Sequence, residues 1–439
     1  MAFPLPPGYF ACPPLSTIER DYLVGQAHRI CTDTARNALT MAKTPPAKIV
    51  EHPATMRRAL LHHGNDIVDA SLYGVTGSSQ IQATQDEILS FFHLSTEEKV
   101  QTYASVVGQI VLDRKTLYTL ADQTRDIASP FYYAGVQWSA IACPFISKSL
   151  TLKRDTCFLE VLSSIEVDDP ISGAPRKGIV RALHSVALDC CPSLRASHNV
   201  VRGALVRSGH VFLETDEIGV YDYFYTYIVA DPGNVPRFVN LKIFQRIVGQ
   251  MLNLDHHLAI QRLPSRIAAA QPLPRFKDAR PITYCEACDT KFKLFASKTH
   301  CYLCRQVVCS ACITTYRLPI LNRHNMDLCT QCFCGNSGRR KFGSRRGKQL
   351  APSCTNSSRG GSDVLSTWSS IQSARFSASS IADSEDKWTT VARPPLESSA
   401  TSESITSSQV ERDVTNALDT TSDHLIQLTR RHYMGFGGR

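Results

Sequence analysis

The apolar pattern changes period along the chain and divides it into stretches. Helical spacing comes first. Ser16 and Glu19 stand at the capping-box interval, with Ile18, Leu23 and Ala27 following. A hydroxyl at that position and a carboxylate three residues on satisfy backbone N–H groups that the first helical turn leaves open. Thr84/Glu87 and Ser95/Glu98 repeat the interval and predict helices near 85–93 and 96–112. The period then shortens. Segments 157–162, 179–187, 199–206, 211–214 and 220–230 are rich in β-branched and aromatic residues, and Ile171-Ser172-Gly173, Ser208-Gly209 and Asp231-Pro232-Gly233 punctuate them as turns. Tyr221, Tyr223, Tyr225 and Tyr227 share one side of a strand, with Asp222, Phe224 and Thr226 on the other. Successive strands with short turns predict an antiparallel sheet. Residues 239–263 return to helical spacing, with Leu241, Phe244, Val248, Met251, Leu252 and Leu258 on or near one face. A sheet closed by one long apolar-faced helix is an α+β domain in which the helix covers the strands.

Composition adds two contrasts. The 439 residues, 43% apolar, fit roughly three units. No run of about 18 apolar residues exists, so a membrane-spanning helix is not expected. The start, through Phe3, Pro4 and Pro6, lacks the basic region of a secretory signal. Net charge is +9, yet residues 271–350 alone carry 15 Lys/Arg against 4 Asp/Glu. Residues 351–439 hold 29 Ser/Thr among 89 and few large apolar groups, so they are expected to stay disordered. The basic run 338–348 ahead of them fits acidic headgroups, RNA or an import receptor, or a solvated charge run. The expected organisation is an N-terminal extension 1–15, a globular domain 16–265, a linker 266–274, a cysteine-rich finger 275–335 and a disordered tail 336–439.

Eight of the 16 cysteines form four pairs: Cys285/Cys288, Cys301/Cys304, Cys309/Cys312 and Cys329/Cys332. Each pair presents two thiolates from one tight turn. Tetrahedral zinc takes four, so eight cysteines predict two closed, structural and non-catalytic Zn²⁺ sites. So short a domain has little core, and metal supplies its folding energy. The expected compartment is the cytosol, where paired cysteines mean metal before disulfide. Elsewhere Cys190-Cys191 fits a redox pair or, more simply, two inert thiols.

The cluster resembles the FYVE finger, a membrane-docking module for phosphatidylinositol 3-phosphate, in all eight cysteines and their spacings, in Phe292, in Leu318-Pro319 and in Phe333. A RING finger has the same ligand count but a histidine among its middle ligands. The FYVE resemblance implies interleaved sites, with Cys285, Cys288, Cys309 and Cys312 on the first ion and Cys301, Cys304, Cys329 and Cys332 on the second. It implies headgroup contacts from Lys298 and His300, and a bilayer-entering tip at Leu294 and Phe295 between Lys291, Lys293 and Lys298. The family's basic stretch is otherwise replaced by Ser297, Thr299 and Tyr302, and Asp327 stands where the family has a basic residue. Lost cations remove charge-assisted contacts of about 1.5–3 kcal/mol each, against 3-phosphate specificity.

The preceding region resembles the START lipid-binding domain in Arg154-Asp155, Phe158-Leu159-Glu160, Val201-Arg202-Gly203, Asp231-Pro232-Gly233 and Val235-Pro236. That resemblance implies a helix-grip fold, a curved sheet around a long C-terminal helix, with a lipid or sterol-like ligand between them; a filled core without ligand is the alternative. No nucleophile elbow, P-loop or dinucleotide fingerprint occurs, and no nucleic-acid motif is clear. The expected protein is a non-enzymatic, cytoplasmic, peripheral membrane protein of endosomal-type membranes. It would carry a hydrophobic ligand and dock on a phosphoinositide or acidic surface. A protein–protein adaptor with a lapsed lipid function is the second reading, and a ubiquitin ligase the third.

Overall fold

The computed structural model describes residues 3–142, 153–168, 173–230, 236–294, 296–316 and 325–334. The expected tail, the basic run 338–348, the turn 231–233, Leu318-Pro319 and Phe295 lie outside the described residues.

Helix α1 (Thr17–Met41) starts at Ser16 with the expected reciprocal cap to Glu19. Strands β1 (Pro46–Glu51), β2 (Arg58–Asn65) and β3 (Tyr73–Gln82) lead to α2 (Gln85–Phe92) and α3 (Glu97–Val106). Long strands β4 (Ile110–Asp122), β5 (Tyr133–Ala142), β6 (Arg154–Asp168) and β7 (Pro175–Ser185) follow. A short turn of helix α4 (Arg195–His198) precedes β8 (Val201–Arg202), β9 (Ser208–Glu214) and β10 (Val220–Ile228). Helices α5 (Arg237–Gly249) and α6 (Leu252–Ala269) close the domain. The main path of the sheet runs β1-β2-β3-β10-β9-β7-β6-β5-β4, every pairing on it antiparallel, with β8 lying parallel beside β6. This is the expected α+β arrangement, an antiparallel sheet closed by C-terminal helices.

Both faces of the sheet are covered. Leu159, Val161, Val180, Val211 and Phe224 face the α1 side, where Leu23, Ala27, Ile30 and Ala38 are buried. On the other side Leu162, Ile179, Phe212, Tyr223 and Tyr225 pack with Ile88, Phe92, Tyr103, Phe244 and Val248 of α2, α3 and α5. Glu160 and Arg181 project into that second layer, each 2% exposed. Arg181 donates from Nε (2.9 Å) and Nη2 (2.6 Å) to Glu160 Oε1 and from Nη1 to Tyr103 Oη (2.7 Å), and Arg114 donates to Glu160 Oε2.

Two of the START-like motifs converge. Arg154 and Asp155 open β6 and pair in parallel with Val201 and Arg202, and the Gly203 N–H donates to the Asp155 carbonyl at 2.7 Å. Asp155 Oδ2 accepts from Trp138 Nε1 (2.9 Å) and Arg202 Nε (3.0 Å).

Several local expectations are corrected. The third capping signal is displaced by one residue. Thr96, not Ser95, caps α3 by accepting from the Lys99 N–H, and the helix ends at Val106 rather than 112 because Gly108 turns the chain at φ +63° into β4. Segment 199–206 contributes only the two-residue β8, since Asn199 sits at φ +52° as the cap of α4. Ile18 is exposed. The single closing helix is two. Around Gln250 the hydrogen bonds tighten to i→i−3, from Gln250 N–H to the Ile247 carbonyl, Met251 to Val248 and Asn253 to Gln250. Asn253 Nδ2 also donates to the Val106 carbonyl at the end of α3 (2.9 Å), which pins the jog. Finally, Cys190 is not an inert thiol: it is joined to Cys12.

The cap assignment is testable. Thr96→Ala is expected to cost about 1 kcal/mol in urea denaturation, whereas Ser95→Ala, at an exposed position, stays within about 0.5 kcal/mol. Equal losses would mean that the cap has been placed on the wrong residue.

Candidate metal centre

Residues after α6 build two short hairpins around two sulfur clusters. Strands β11 (Lys298–His300) and β12 (Val307–Cys309) pair, as do β13 (Ile313–Tyr316) and β14 (Met326–Cys329), and β14 runs into α7 (Thr330–Cys334). Two knuckles repeat one geometry. Asp289 N–H donates to the Cys285 carbonyl and Arg305 N–H to the Cys301 carbonyl (2.8 and 3.0 Å), and both Asp289 and Arg305 take positive φ, +56° and +60°.

The four sulfurs of Cys285, Cys288, Cys309 and Cys312 lie within 4.8 Å of one another, and so do those of Cys301, Cys304, Cys329 and Cys332. The first and third pairs therefore share one cluster and the second and fourth the other. Cys288 and Cys309 sulfurs are 3.8 Å apart, as are those of Cys304 and Cys329. A tetrahedron with Zn–S bonds of about 2.3 Å has edges of about 3.8 Å, so these clusters fit the ion. Backbone N–H groups point at the sulfurs: Cys309 to Cys285, Cys329 to Cys301 (both 3.3 Å) and Cys332 to Cys329 (3.4 Å). Such donors stabilise thiolate over thiol. Burial pushes the Cys288 thiol up, but hydrogen bonds with Thr290, Cys312 and Cys285 together outweigh that and hold it at about 7.

The expected surface residues are placed as follows. Leu294 is 93% exposed beside exposed Lys291 and Lys293. Lys298 Nζ donates to the Ala279 carbonyl (3.0 Å) and rides over the Phe292 ring, and His300 Nε2 is 2.8 Å from the Lys277 carbonyl. Both headgroup candidates thus hold residues 277–279 at the start of the finger. Arg305 was not anticipated from the sequence. Its guanidinium stacks 4.0 Å from the Phe276 ring centre and 4.8 Å from that of Tyr302. The legible signal was a cation directly after Cys304 with aromatic residues before it. Asp327 accepts from Thr315 Oγ1 (2.6 Å), and its carbonyl accepts from the Tyr302 N–H (2.7 Å).

The finger also packs on α6. Ala259, Leu263 and Ile267 are buried in one cluster with Leu303, Leu328 and Phe333. Arg266 donates to the carbonyls of Cys332 and Phe333, a cation at the carbonyl end of α7. Tyr316 and Phe333 stack at 4.5 Å, and the His256 ring lies 5.3 Å from Phe333. Burial, then His52 and His257, pushes His256 down to about 3, so it is neutral there. A cleft of about 290 Å³ remains at this junction, lined in part by Thr84, Gly219, Arg262 and Phe333.

Residues 275–340 match the family model of the FYVE zinc finger. That match and the two four-cysteine clusters support zinc binding. No curated protein sequence matches the chain. Among solved structures, human StAR-related lipid transfer protein 5 is similar over 54% of this chain and 96% of its own, at 13% identity and a TM-score of 0.38. Human STARD10 is similar over 55% and 88%, at 14% identity and 0.31. A STAR-related lipid transfer protein fragment from Xanthomonas axonopodis is similar over 48% and 97%, at 13% identity and 0.28. Among the described residues no helix is long and apolar enough to cross a membrane.

Proposed function

We propose that this chain is a non-enzymatic, peripheral lipid-binding protein. Residues 16–265 hold a hydrophobic ligand between the sheet and the closing helices, and residues 275–335 dock on phosphoinositide-bearing or acidic membranes of the endosomal type. Two structural zinc ions are held, one by Cys285, Cys288, Cys309 and Cys312 and the other by Cys301, Cys304, Cys329 and Cys332. Each ion is a closed, redox-inert crosslink, and the chain's own contribution is to aim sulfurs and N–H groups at it. The observation that carries docking is the exposed Leu294 among lysines on a FYVE-type frame. An apolar tip enters the interface, and each nearby lysine adds about 1 kcal/mol on an anionic leaflet.

The contacts of Lys298 and His300 with carbonyls of residues 277–279 favour charge-driven docking over a dedicated 3-phosphate pocket. Flotation of the full chain with vesicles separates the readings. Phosphatidylserine vesicles are expected to bind it, with less than about threefold gain from added phosphatidylinositol 3-phosphate. Leu294→Asp is expected to lower binding at least tenfold, with zinc content unchanged. Wild-type binding to neither vesicle would transfer the finger to the adaptor reading.

A further inference from the structure

The N-terminal segment is strapped across the sheet. Leu5 is 2% exposed, and its N–H donates to Asp113 Oδ2 of β4 at 2.6 Å. Phe10 and Phe3 lie 5.0 and 6.1 Å from the buried Trp138 ring, and Tyr9 meets His198 edge-on at 5.7 Å. Tyr118 Oη donates to the Pro13 carbonyl at 2.8 Å. Beside it Cys12 is joined to Cys190, 178 residues away, with Tyr118 Oη 3.6 Å from the Cys190 sulfur.

The burial of the cysteines is uneven. Cys12 and Cys190 are half-buried, whereas Cys31, Cys157 and Cys191 are buried. Cys191, next in sequence, turns inward, where Arg202 Nη1 donates to its carbonyl at 3.2 Å. Among the described cysteines outside the finger, the joined pair is thus the one a soluble thiol can reach. The chain also carries eight cysteines whose clusters fit a metal as thiolates, which demands a reducing milieu. In such a milieu an accessible disulfide is of the labile, regulatory kind rather than a permanent staple.

We infer that Cys12–Cys190 is a thiol–disulfide exchange site that latches the segment of residues 3–15 onto the sheet, and that a low-molecular-weight thiol of the glutathione class releases it. The first thiolate attacks the Cys12 sulfur, forms a mixed disulfide and expels Cys190 as thiolate. A second thiol attacks the mixed disulfide, leaves the reductant as its own disulfide and frees Cys12. Two electrons and two protons pass from two thiols to the protein. Once free, the strap is held by non-covalent contacts alone: the Leu5 and Pro13 hydrogen bonds, the packing of Leu5 and Leu15, Lys153 over the Phe3 ring, and the ring contacts with Trp138 and His198. This inference needs the reducing milieu implied by the zinc reading but neither the membrane nor the ligand assignment.

The test is differential alkylation of the zinc-loaded full chain across a graded glutathione buffer, with peptide mapping and hydrogen exchange. Without reductant, neither Cys12 nor Cys190 should label. As the buffer becomes reducing the two should label together, ahead of Cys31, Cys157, Cys191 and the eight finger cysteines. Exchange of the Leu5 amide should then accelerate at least tenfold while β6 and β9 stay protected. Cys12→Ser should reproduce that exchange without reductant and retain its metal. Labelling of both cysteines in the oxidised chain, release of finger cysteines first, or unchanged Leu5 exchange after both are labelled would each overturn the latch.

Discussion

Stripping the metal from the full chain with a chelator is expected to unfold the finger and loosen α6, while leaving the sheet intact. The finger's interior is mostly sulfur. Cys285, Cys301, Cys329 and Cys332 are buried beside a few apolar groups, chiefly Val307, Val308, Leu328 and Phe333. Structural zinc contributes about 10–16 kcal/mol in small fingers at neutral pH, as much as the whole stability of an ordinary domain, about 5–15 kcal/mol. Without it the sulfurs of each cluster take up protons, lose the bond that joins them, and leave the hairpins without support. The effect then spreads along a physical contact. Leu263 and Ile267, 0% and 1% exposed, lose their partners, and Arg266 loses the two carbonyls of α7. Hydrogen exchange with parallel metal release is the measurement. Amides of 298–309 and 326–333 should lose protection by orders of magnitude, those of 259–269 by about tenfold, and those of β6, β7 and β9 by nothing measurable. Retained protection in β11 and β12 after both ions have left would refute sulfur–metal bonding as the support of this module.

The finger was legible because its chemistry is written in spacing. Four Cys-x-x-Cys pairs fix the ligand type and number, and folding only had to bring the pairs together. The sheet was legible in part. Strands β9 and β10 were foreseen, but β1 to β5 were not, for physical reasons. Most of β5 is buried on both faces, and even its polar Gln137 and Ser139 are buried, so they mark no solvent side. In β3, Gly74 and Gly77 read as turn residues, yet they permit close approach. A Cβ on Gly77 would stand 2.5 Å from Met251 Sδ and 2.7 Å from Val248 Cγ1, where the closing helices jog over the sheet. The jog itself had no signal, because apolar spacing continues across it and only the tertiary bond from Asn253 marks the break. The packing of α6 on the finger was equally hidden. The sequence reads 266–274 as a linker, whereas the helix runs to Ala269 and its last turns are buried by a partner some 60 residues further on.

Replacing Arg181 by methionine is expected to cost about 3–5 kcal/mol, because it strands a buried carboxylate. Glu160 now accepts two hydrogen bonds from Arg181 and one from Arg114, and Arg181 also holds Tyr103 of α3 and stacks 4.5 Å from its ring. The pair therefore ties β6 and β7 to the helical layer. Removing both charges, as Glu160→Leu with Arg181→Met, should recover most of the loss, since apolar groups of similar volume can replace a buried pair at little cost. The pH dependence separates this account from a simple packing defect. Burial raises the Glu160 pKa, but Arg114 and Arg181 outweigh it and hold the carboxyl below its usual range. A folded pKa below the unfolded value gives stability that is present above about pH 4.5 and lost as pH falls through the folded value. In Arg181→Met one cation is gone and burial moves the carboxyl upward, so protonation relieves the stranded charge. The stability gap between wild type and variant, followed by urea denaturation, should thus narrow as pH falls from 7 to 4. A packing defect alone would keep the gap constant over that range, and the double variant should show a much smaller gap than Arg181→Met.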